Sequence, residues 1–413
     1  MSQATLKSLL SMHFPAWISR PGNIERTDAL TPEALEALMR LVMAETSGTP
    51  TFDQRDRYVN DLRCFDITLN QITSELIASR LACDTLGPGF TANEGFFFTA
   101  SSPEELDGVV QPLLRDGYCR SSLSLTADQI AQLKDGLRCQ KFSTKGPNPN
   151  TCSGIDLLAC EASGHAAPLG DGDTYWLNDM DGLAHAPLFV KLAFDPYIIS
   201  IASRYLGCPP VHVQTNAWFS FSGQPTKHNL SMNGQLFHQD KEFVKFFKAF
   251  IYLSDVGEEQ GPHSYVEGSH HDELHRKGVS LSDRVTDADI GKYYDRSRIK
   301  TVTGTAGEIL FGDTSCVHKG EALTRGMRIM LQLEYASSLY LSPVAPFSDF
   351  TTAGALLAQY PENFARRMLA NYSSVQRQMY REFEAAPRPR PRLSSRLRGF
   401  AGRVKRRLTG SSN

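Results

Sequence analysis

The second half of the chain is divided into short apolar or alternating segments separated by turn residues, and this pattern restricts the folds that it can form. The segments after Tyr197 are VHVQTNAWFSFS, GQLFHQD, FKAFIYLSDV, HSYVEGS, KTVTG, GEILFGD and MRIMLQLEYAS. Each has the length of a strand and is bounded by residues that favour turns. Many short strands of this kind predict an antiparallel sandwich or barrel. A helical stretch from Asp272 to Arg298 is expected as an insertion between two strands.

Helices are predicted on the N-terminal side of these strands. Residues 1–102 contain PEALEALMRLVMAE and NDLRCFDITLNQITSELIASRLA, whose apolar residues recur at three- and four-residue steps, so this part should be mainly helical. From Pro103, PEELDGVVQPLLRDGYC predicts a helix and a short strand, and LTADQIAQLKDGLRC predicts a second helix with Thr126 as its N-cap. The polar stretch 141–176 is rich in Gly, Pro, Asn and Ser, which is typical of a lid or binding loop.

We therefore expect an α+β protein with a mainly β core and flanking helices. The expected organisation is an N-terminal helical extension over 1–102, a β-rich domain over 103–345, a C-terminal helical segment over 346–387 and a basic tail over 388–413. A chain of 413 residues with 41% hydrophobic and 21% charged residues is long and apolar enough to bury a core of this size.

Composition also bears on the compartment of the protein. The sequence has no run of eighteen apolar residues, and its start, MSQATLKSLLSMHFPAWISR, is too polar for a secretory leader. We therefore expect a protein that is neither secreted nor membrane-spanning. The eight cysteines include no CxxC pair, which favours reduced thiols in a cytoplasmic protein over a zinc site or a disulfide framework.

The C-terminal tail differs from the rest of the chain in its charge. Nine of the 43 basic residues lie at or after Arg388, where no acidic residue occurs, so the preceding chain carries 34 basic and 45 acidic residues. Five apolar residues of the tail recur at steps of four, three, four and four: Leu393, Leu397, Phe400, Val404 and Leu408. This spacing predicts a short basic amphipathic helix that binds an anionic membrane, whereas Gly399 and Gly402 favour a disordered tail. Because Phe400 is the one aromatic residue of the tail, no nucleic-acid partner is expected.

Two short motifs contain residues that could bind a metal ion and an anion. In FHQDKEF, His238 and Asp240 are two residues apart, so on a strand their side chains emerge on the same face. His318 ends a later predicted strand, and Arg328 lies within the next one. Two imidazoles and a carboxylate can occupy one face of an octahedral Fe(II), and an arginine can pair bidentately with a carboxylate. An H-x-D triplet alone is also typical of a buried histidine bonded to a nearby aspartate.

Strand parity distinguishes Arg328 from Arg325, the other arginine of its segment. In MRIMLQLEY, residues alternate between a mainly polar face and a wholly apolar face. The polar face carries Arg328, Met330, Gln332 and Glu334, and the apolar face carries Ile329, Leu331, Leu333 and Tyr335. Arg328 should therefore point into the barrel, whereas Arg325, in the turn Thr-Arg-Gly, should be solvated.

In order and spacing, these motifs resemble the signature blocks of the phytanoyl-CoA dioxygenase family of Fe(II)- and 2-oxoglutarate-dependent oxygenases. The blocks are RDGYC, FHQDKEF, KAFIYLSDVGEEQGPHSYVEGSHH and GEILFGDTSCVHKGEALTRGMRIMLQLEY, and the resemblance covers about Pro103 to Ser338. It implies a double-stranded β-helix, which is a jelly-roll or cupin-like barrel, with iron bound inside its mouth. It also implies that His238, Asp240 and His318 are the iron ligands and that Arg328 binds the distal carboxylate of 2-oxoglutarate.

Further residues are candidates for lining the co-substrate or substrate site. Three of them alternate onto one face of the strand before the H-x-D segment, and two lie close to that segment: Gln214, Asn216, Trp218, Gln235 and Lys227. Three other histidines are expected to be structural, one in the barrel wall and two in a turn: His263, His270 and His271. Two positions depart from the family pattern, because Phe237 stands where many members have Trp and Gly320 where some use Ser to hold the co-substrate.

Together, the motifs and the resemblance imply an enzyme that uses Fe(II), 2-oxoglutarate and O₂. The expected reaction is hydroxylation of an aliphatic C–H bond of a small-molecule or lipid-linked metabolite, with release of succinate and CO₂. Because Asp240 is present, halogenation, which needs a vacant position for chloride, is disfavoured, whereas desaturation, cyclisation and demethylation stay open. The alternatives are a cupin-like metal-dependent lyase or isomerase, which has no need of Arg328, and a non-catalytic jelly-roll binding protein. The expected location is the cytoplasm, with the tail at the inner face of a membrane.

Overall fold

The structure, a computed structural model, describes the central part of the chain more completely than its ends. The described residues are 3–32, 34–36, 38–39, 72, 75–76, 96–99, 102–163, 173–243, 245–272, 274–279, 283–337, 347–348, 356–357 and 360–372. Residues 1–376 form one compact unit, and residues 377–413 form a second. The basic tail lies outside the described residues, so its amphipathic helix stays a prediction. Across the described residues, no helix is long and apolar enough to cross a membrane.

Short helices at the N-terminus pack around a hydrophobic cluster of their own. They are α1 (Gln3–His13), α2 (Pro15–Ile18) and α3 (Asn23–Asp28). The buried residues of this cluster are Leu6, Leu10, Phe14, Trp17, Leu30, Ala34, Leu38, Met39, Ile72 and Leu76. The Glu75 carboxylate connects its segment to α2 and α3. It accepts hydrogen bonds from Trp17 Nε1 at 2.9 Å and from the Arg26 guanidinium at 2.8 and 3.0 Å.

The helices around the β-rich part begin and end with clear local signals. They are α4 (Pro103–Asp116), α5 (Ala127–Arg138), α6 (Leu157–Ser163), α7 (Met180–His185), α8 (Pro187–Ala193), α9 (Pro196–Leu206), α10 (Lys227–Met232) and α11 (Glu362–Met368). The predicted N-cap is confirmed, because Thr126 Oγ1 accepts from the Gln129 backbone N–H while the Gln129 side chain accepts from the Thr126 N–H. Helix α4 ends at Gly117, whose φ of 89° is readily adopted by glycine.

Eleven strands in the described residues form two antiparallel sheets. They are β1 (Tyr118–Ser124), β2 (Lys141–Ser143), β3 (Thr151–Ser153), β4 (Thr174–Leu177), β5 (Val211–Phe221), β6 (Phe246–Tyr252), β7 (His263–Val266), β8 (Ile299–Val302), β9 (Glu308–Gly312), β10 (His318–Gly320) and β11 (Met327–Ala336). The larger sheet has the order β1-β9-β6-β11-β5-β4-β2-β3, and the smaller has the order β10-β7-β8. Trp218, Phe250 and Met330 of the larger sheet share a core with Tyr265 of the smaller. The predicted jelly-roll core with flanking helices is confirmed.

Strand β11 lies at the centre of the larger sheet and separates the cavity from the outer helices. It pairs with β5 on one side and β6 on the other, and all ten of its residues are buried. Arg328 and Gln332 line the cavity between the sheets, and Met330 lies in the shared core. On the opposite face, the Tyr335 hydroxyl donates to the Ala193 carbonyl at the end of α8. The two faces thus divide as strand parity predicts.

The predicted helical insertion over 272–298 is wrong in kind, because its described residues form short 3₁₀ helices and turns. The 3₁₀ helices are Leu274–Lys277, Ile290–Lys292 and Arg296–Arg298; two others, Glu258–Gln260 and Ser269–His271, precede them. Gly278, with φ of 84°, follows the first, and Val285 forms an antiparallel bridge with Phe237. The apolar residues are buried separately against Phe237 instead of forming one helix face: Leu274, Val279, Val285, Ile290 and Tyr294.

Two other segments contain structure different from that predicted. The polar stretch 141–176 is not simply a loop, since it holds the β2–β3 hairpin, α6 and the start of β4, with residues 164–172 outside the described part. The GQLFHQD segment is extended, but it pairs only through single bridges at Phe237 and His238 instead of forming a regular strand. Outside the two bridges, single backbone hydrogen bonds hold the segment, such as Asp240 N–H to the Thr314 carbonyl at 2.8 Å.

Candidate metal centre and cavity

His238, Asp240 and His318 come together although the third is distant in sequence. His238 and Asp240 lie in the extended segment after α10, and His318 begins β10. His238 and His318 exchange both backbone N–H···O hydrogen bonds, each 2.9 Å long, which fixes the two backbones side by side. The Asp240 N–H donates to the Thr314 carbonyl at 2.8 Å and anchors the other end of the segment.

The three side chains direct their ligand atoms toward one point. One ligand atom of each lies within 4.8 Å of the other two. The Nε2 atoms of His238 and His318 lie 3.6 and 3.8 Å from the Asp240 carboxylate oxygens. Each imidazole donates its Nδ1–H to the carbonyl two residues earlier, His238 to Leu236 at 2.8 Å and His318 to Cys316 at 2.9 Å. Both Nε2 lone pairs are therefore free to bind a metal.

The charge around the triad favours an ionised carboxylate and neutral imidazoles. Burial acts to raise the pKa of Asp240, but Lys248 and the two histidines outweigh it and hold that pKa below its usual range. Burial lowers the pKa of His238 to about 3 and also lowers the pKa of His318. These are the protonation states that metal binding requires.

Lys248 is a buried cation beside the triad that sequence reasoning missed. It lies in β6 opposite Glu334 of β11, and its Nζ lies 2.8 Å from Asp240 Oδ2, 3.1 Å from Glu242 Oε2 and 3.8 Å from Glu334 Oε1. Burial acts to lower the pKa of Lys248, but the three carboxylates keep it well above its usual value. Burial and Glu242 raise the pKa of Glu334 well above its usual value, against the opposing effect of Lys248. The available signal was a lysine in the apolar strand FFKAFIY, since a buried lysine needs an acidic partner.

A cavity of about 420 Å³ opens onto the triad, which is the size of a small-molecule site. Its aromatic wall includes Trp176 and Trp218, whose stacked rings have centroids 4.8 Å apart, and Phe250. Gly234 has φ of 68°, and a Cβ there would lie 3.4 Å from His238 Cε1 and 3.8 Å from His238 Nε2. The glycine therefore keeps the space beside one metal-binding nitrogen open.

Arg328 enters the same cavity with unused hydrogen-bonding capacity. It is buried, one Nη donates to the Gly261 carbonyl, and its Nε has no hydrogen-bond partner within the described structure. Burial lowers its pKa to about 10, which still leaves it charged at neutral pH. A Cβ at Gly320 would lie 3.5 Å from Arg328 Nη1, so the glycine leaves room for an anion there. Arg325, by contrast, has a side chain 77% exposed and an ion pair with Glu259.

The other predicted lining residues divide into two groups. Gln214, Asn216 and Trp218 line the cavity, and Gln332 Nε2 donates to Gln214 Oε1 at 2.6 Å. Gln235 and Lys227 do not line it: Gln235 is buried next to the cavity lining, and Lys227 is exposed on α10. Proximity to His238 in sequence therefore does not bring either side chain into the cavity lining.

The three histidines that were expected to be structural have roles that differ from those of the two histidines of the triad. His263 is buried on β7, packs on the Phe250 ring at 4.4 Å between centroids and forms part of the cavity wall. Burial and Arg328 lower its pKa well below its usual value, so it stays neutral. His270 and His271 each place Nε2 within hydrogen-bond distance of the Leu114 carbonyl, at 3.0 and 3.2 Å, and join the turn to α4.

Several polar residues of the site were not predicted. Lys145 and Arg284 line the cavity from segments expected to be a loop and a helix. Gln239, between the two first ligands, points to the other side of the segment and donates to the Ser315 carbonyl at 2.7 Å, while its Oε1 accepts from the Leu274 N–H at 2.9 Å. Gln239 thus supplies the anchoring that the missing strand pairing does not.

The donor set fits Fe(II) and the cavity fits 2-oxoglutarate. Two neutral imidazoles and one carboxylate leave half of an octahedral coordination sphere open toward the cavity. The unpartnered Nε of Arg328 and the open space at Gly320 suit the far carboxylate of the co-substrate. Both cofactors predicted from the sequence are therefore consistent with this chain's own residues.

A match to a known protein family agrees with this interpretation. The phytanoyl-CoA dioxygenase (PhyH) family profile matches residues 113–330, and no curated protein matches the chain. Among solved structures, HygX from Streptomyces hygroscopicus with nickel and 2-oxoglutarate bound is 16% identical, with 57% of this chain and 87% of that chain covered and a TM-score of 0.38. AviO1 from Streptomyces viridochromogenes Tue57 is 17% identical, with 57% and 96% covered and a TM-score of 0.36. The non-heme α-ketoglutarate-dependent epimerase SnoN from nogalamycin biosynthesis is 20% identical, with 57% and 83% covered and a TM-score of 0.37. Because the family profile spans more than half of the chain, the protein belongs to the phytanoyl-CoA dioxygenase family of Fe(II)- and 2-oxoglutarate-dependent enzymes.

Proposed function

We propose that this enzyme hydroxylates an aliphatic C–H bond of a small-molecule or lipid-linked metabolite. The observation that carries the proposal is the convergence of His238, Asp240 and His318 on a cavity that Arg328 also enters. A metal site alone would suit many reactions, whereas a buried arginine with a free Nε beside it suits a co-substrate with a second carboxylate.

The chemistry depends on the bound cofactors. Fe(II) with 2-oxoglutarate and O₂ supplies the oxidation that replaces C–H by C–OH, while 2-oxoglutarate becomes succinate and CO₂. One oxygen atom of O₂ enters the product and the other enters succinate, so atoms and electrons balance.

The residues of the chain hold and orient these groups. The backbone carbonyls of Leu236 and Cys316 fix both imidazoles with Nε2 toward the metal. Lys248 holds the Asp240 carboxylate through a 2.8 Å contact between its Nζ and Asp240 Oδ2. Arg328 pairs with the far carboxylate of 2-oxoglutarate, and the Trp176–Trp218 wall excludes water from one side of the cavity.

Hydroxylation is favoured over halogenation because Asp240 is present and its carboxylate lies with the two imidazoles. Halogenation needs that coordination position for chloride. Desaturation, cyclisation and epimerisation use the same site, and product analysis separates them from hydroxylation.

The test is succinate formation from 2-oxoglutarate under Fe(II) and O₂ across a panel of small-molecule substrates. His238→Ala should abolish it, and Arg328→Ala should raise the KM for 2-oxoglutarate about 10- to 100-fold, because one charge-assisted pair is lost. Two matched controls replace exposed residues outside the site, His228→Ala and Arg325→Ala, and both should keep wild-type turnover. Equal succinate formation in wild type and both site variants would refute the proposed site.

Labelling with ¹⁸O₂ then identifies the reaction. Hydroxylation should place one label in the product and one in succinate, whereas a product of unchanged oxygen content would indicate desaturation, cyclisation or epimerisation. Binding of Fe(II) without succinate formation would favour a cupin-like lyase or isomerase. Failure to bind Fe(II) at all would favour a non-catalytic binding protein.

The membrane contact of the basic tail is a separate proposal. It rests on the spacing of apolar residues among the arginines of 388–413, outside the described residues. A lipid-linked substrate would suit an enzyme held at a membrane surface in this way.

A further inference from the structure

The lining of the cavity contains four cations, and they differ in their anionic partners. They are Lys145, Lys248, Arg284 and Arg328. Lys248 is neutralised by the carboxylates around Asp240, and Arg328 is assigned to 2-oxoglutarate. Neither Lys145 nor Arg284 has a carboxylate within ion-pair distance in the described part of the chain. Two positive charges therefore remain after the cofactors are accounted for.

Lys145 is held at the cavity by neutral groups. It follows β2 in the turn of the β2–β3 hairpin, its Nζ lies 3.7 Å from the centroid of the Trp176 ring and it donates to the Met232 carbonyl at 3.2 Å. The cation–π contact positions the ammonium group without neutralising it. Lys145 is exposed to solvent as a whole. The burial of its ammonium group and the neighbouring Arg284 lower its pKa to about 8, and Asp240 and Glu242 oppose this effect.

Arg284 is fixed beside the metal-binding segment by its neighbour in sequence. Val285 and Phe237 exchange backbone hydrogen bonds of 2.9 Å, which places residue 284 next to the segment that carries His238. Its Nη1 is buried with no hydrogen-bond partner among the described residues. Burial lowers the pKa of Arg284, and Asp240 is the acidic group that opposes this effect.

An unpaired guanidinium nitrogen and a second cation nearby are unfavourable in the unliganded protein. Burying a charge without a partner costs free energy, and like charges close together add to the cost. An anion placed between them would remove both costs. The co-substrate does not supply it, because its far carboxylate belongs at Arg328 and the rest of it at the metal.

We propose that Lys145 and Arg284 form an anion-binding subsite for the substrate, which is therefore a small molecule with a carboxylate or phosphate group. This inference rests on the proposed function. Lys145, Arg284 and the triad all line one cavity. An anionic group held by the two cations would therefore keep the rest of the same molecule in the cavity that opens onto the metal-binding residues.

The experiment measures binding of simple probes by calorimetry to full-length protein saturated with Ni(II) and 2-oxoglutarate, a complex that does not turn over. Saturating 2-oxoglutarate keeps the probes away from Arg328. The probes are hexyl phosphate, hexanoate and hexanol, which share one alkyl chain and differ in the head group. At least one anion should bind about tenfold or more tightly than hexanol, and the two anions identify whether phosphate or carboxylate is preferred.

Variants assign this preference to the two cations. Lys145→Met and Arg284→Met should each weaken binding of the preferred anion about tenfold or more and leave hexanol binding unchanged, while Lys145→Arg should retain most of the anion affinity. Arg325→Met is the matched control and should bind like wild type, since Arg325 is exposed outside the cavity. Each variant's affinity for Ni(II) and 2-oxoglutarate reports that its site is folded.

The outcomes separate this inference from the proposed function. Wild type that binds Ni(II) and 2-oxoglutarate but prefers hexanol to both anions would overturn the anion subsite alone. Anion affinity that survives in the Lys145→Met/Arg284→Met double variant would overturn it as well. Wild type that binds neither Ni(II) nor 2-oxoglutarate would overturn the proposed function.

Discussion

Replacing Lys248 by methionine should destabilise the metal-free protein and make its stability depend more strongly on a bound metal ion. Methionine retains much of the length and apolar character of the lysine stem, so the main loss is the ammonium group. That group lies within 4 Å of three carboxylates, and the lysine side chain is 7% exposed. Removing one partner of a buried ion pair costs about 3–5 kcal/mol, since the other charge is left unpaired.

The structure places the expected cost near the lower end of this range. Burial and Glu242 raise the pKa of Glu334, which favours its neutral form once the lysine is removed. Glu242 has a side chain 36% exposed and is screened by solvent. Asp240, at 19% exposure, is therefore the main charge left without a partner, which gives a loss of about 3 kcal/mol in the free energy of unfolding.

A divalent metal should reverse part of this loss. Metal binding stabilises the folded state by about 2.7 kcal/mol at a free concentration 100 times the Kd. In the variant, the metal no longer competes with the Lys248 ammonium for Asp240, so at equal free Ni(II) the stabilisation should exceed that of wild type. Urea unfolding with and without Ni(II), for wild type and Lys248→Met, measures both quantities.

Lys292→Met is the matched control, since this lysine is exposed and its ion pair with Asp289 is screened by solvent and should contribute little to stability. A metal-free Lys248→Met protein within 1 kcal/mol of wild type would show that the carboxylates relax without the cation. A stabilisation by Ni(II) no larger than in wild type would show that Lys248 and the metal do not share Asp240. Either result would refute the reasoning.

Three further predictions concern the cavity and the tail. Gly234→Ala should weaken metal binding, because φ of 68° is strained for alanine and its Cβ would lie 3.4 Å from His238 Cε1. Calorimetry with Ni(II) should give a higher Kd for this variant than for wild type. An unchanged Kd would contradict the role given to this glycine. For an anionic substrate, kcat/KM should fall as the pH rises through about 8, because Lys145 then loses its charge. Burial, Arg284 and Lys248 lower the pKa of Lys145, and Asp240 and Glu242 raise it. This limb should be absent from the pH profile of Lys145→Met. Deleting residues 388–413 should abolish partition onto vesicles that contain phosphatidylserine, and equal sedimentation of full-length and truncated protein with those vesicles would eliminate the membrane proposal.

The parts of the fold that follow from short-range patterns were predictable from sequence. The alternation in MRIMLQLEY assigned Arg328 to the cavity face because side-chain direction in a strand depends only on parity. The cap at Thr126 followed from a Thr and a Gln three residues apart. The segment 272–298 was predicted to be a helical insertion, whereas its described residues form short 3₁₀ helices and turns whose apolar residues are buried one at a time against Phe237.

The cations of the site depend on long-range pairing, which a single sequence does not determine. Lys248 contacts Asp240 because β6 pairs with β11 in the register that sets Lys248 opposite Glu334. A shift of that register by one residue would turn Lys248 to the apolar side of the sheet. Lys145 and Arg284 reach the cavity from a hairpin turn and from a bridge to Phe237, and neither connection has a local sequence pattern.

The supports of the three metal ligands show why the triad was easier to predict than its surroundings. Both histidines are oriented by backbone carbonyls two residues earlier, at Leu236 and Cys316, and any residue type provides such a carbonyl. The orientation of the two imidazoles therefore follows from an extended local chain. It requires no particular residue type in the sequence apart from the histidines themselves. Asp240 has no such local support, and its second oxygen is held by Lys248 from another strand. The lysine within FFKAFIY is the sequence feature that indicates this support, because a charge in an otherwise apolar strand needs an oppositely charged partner within the fold.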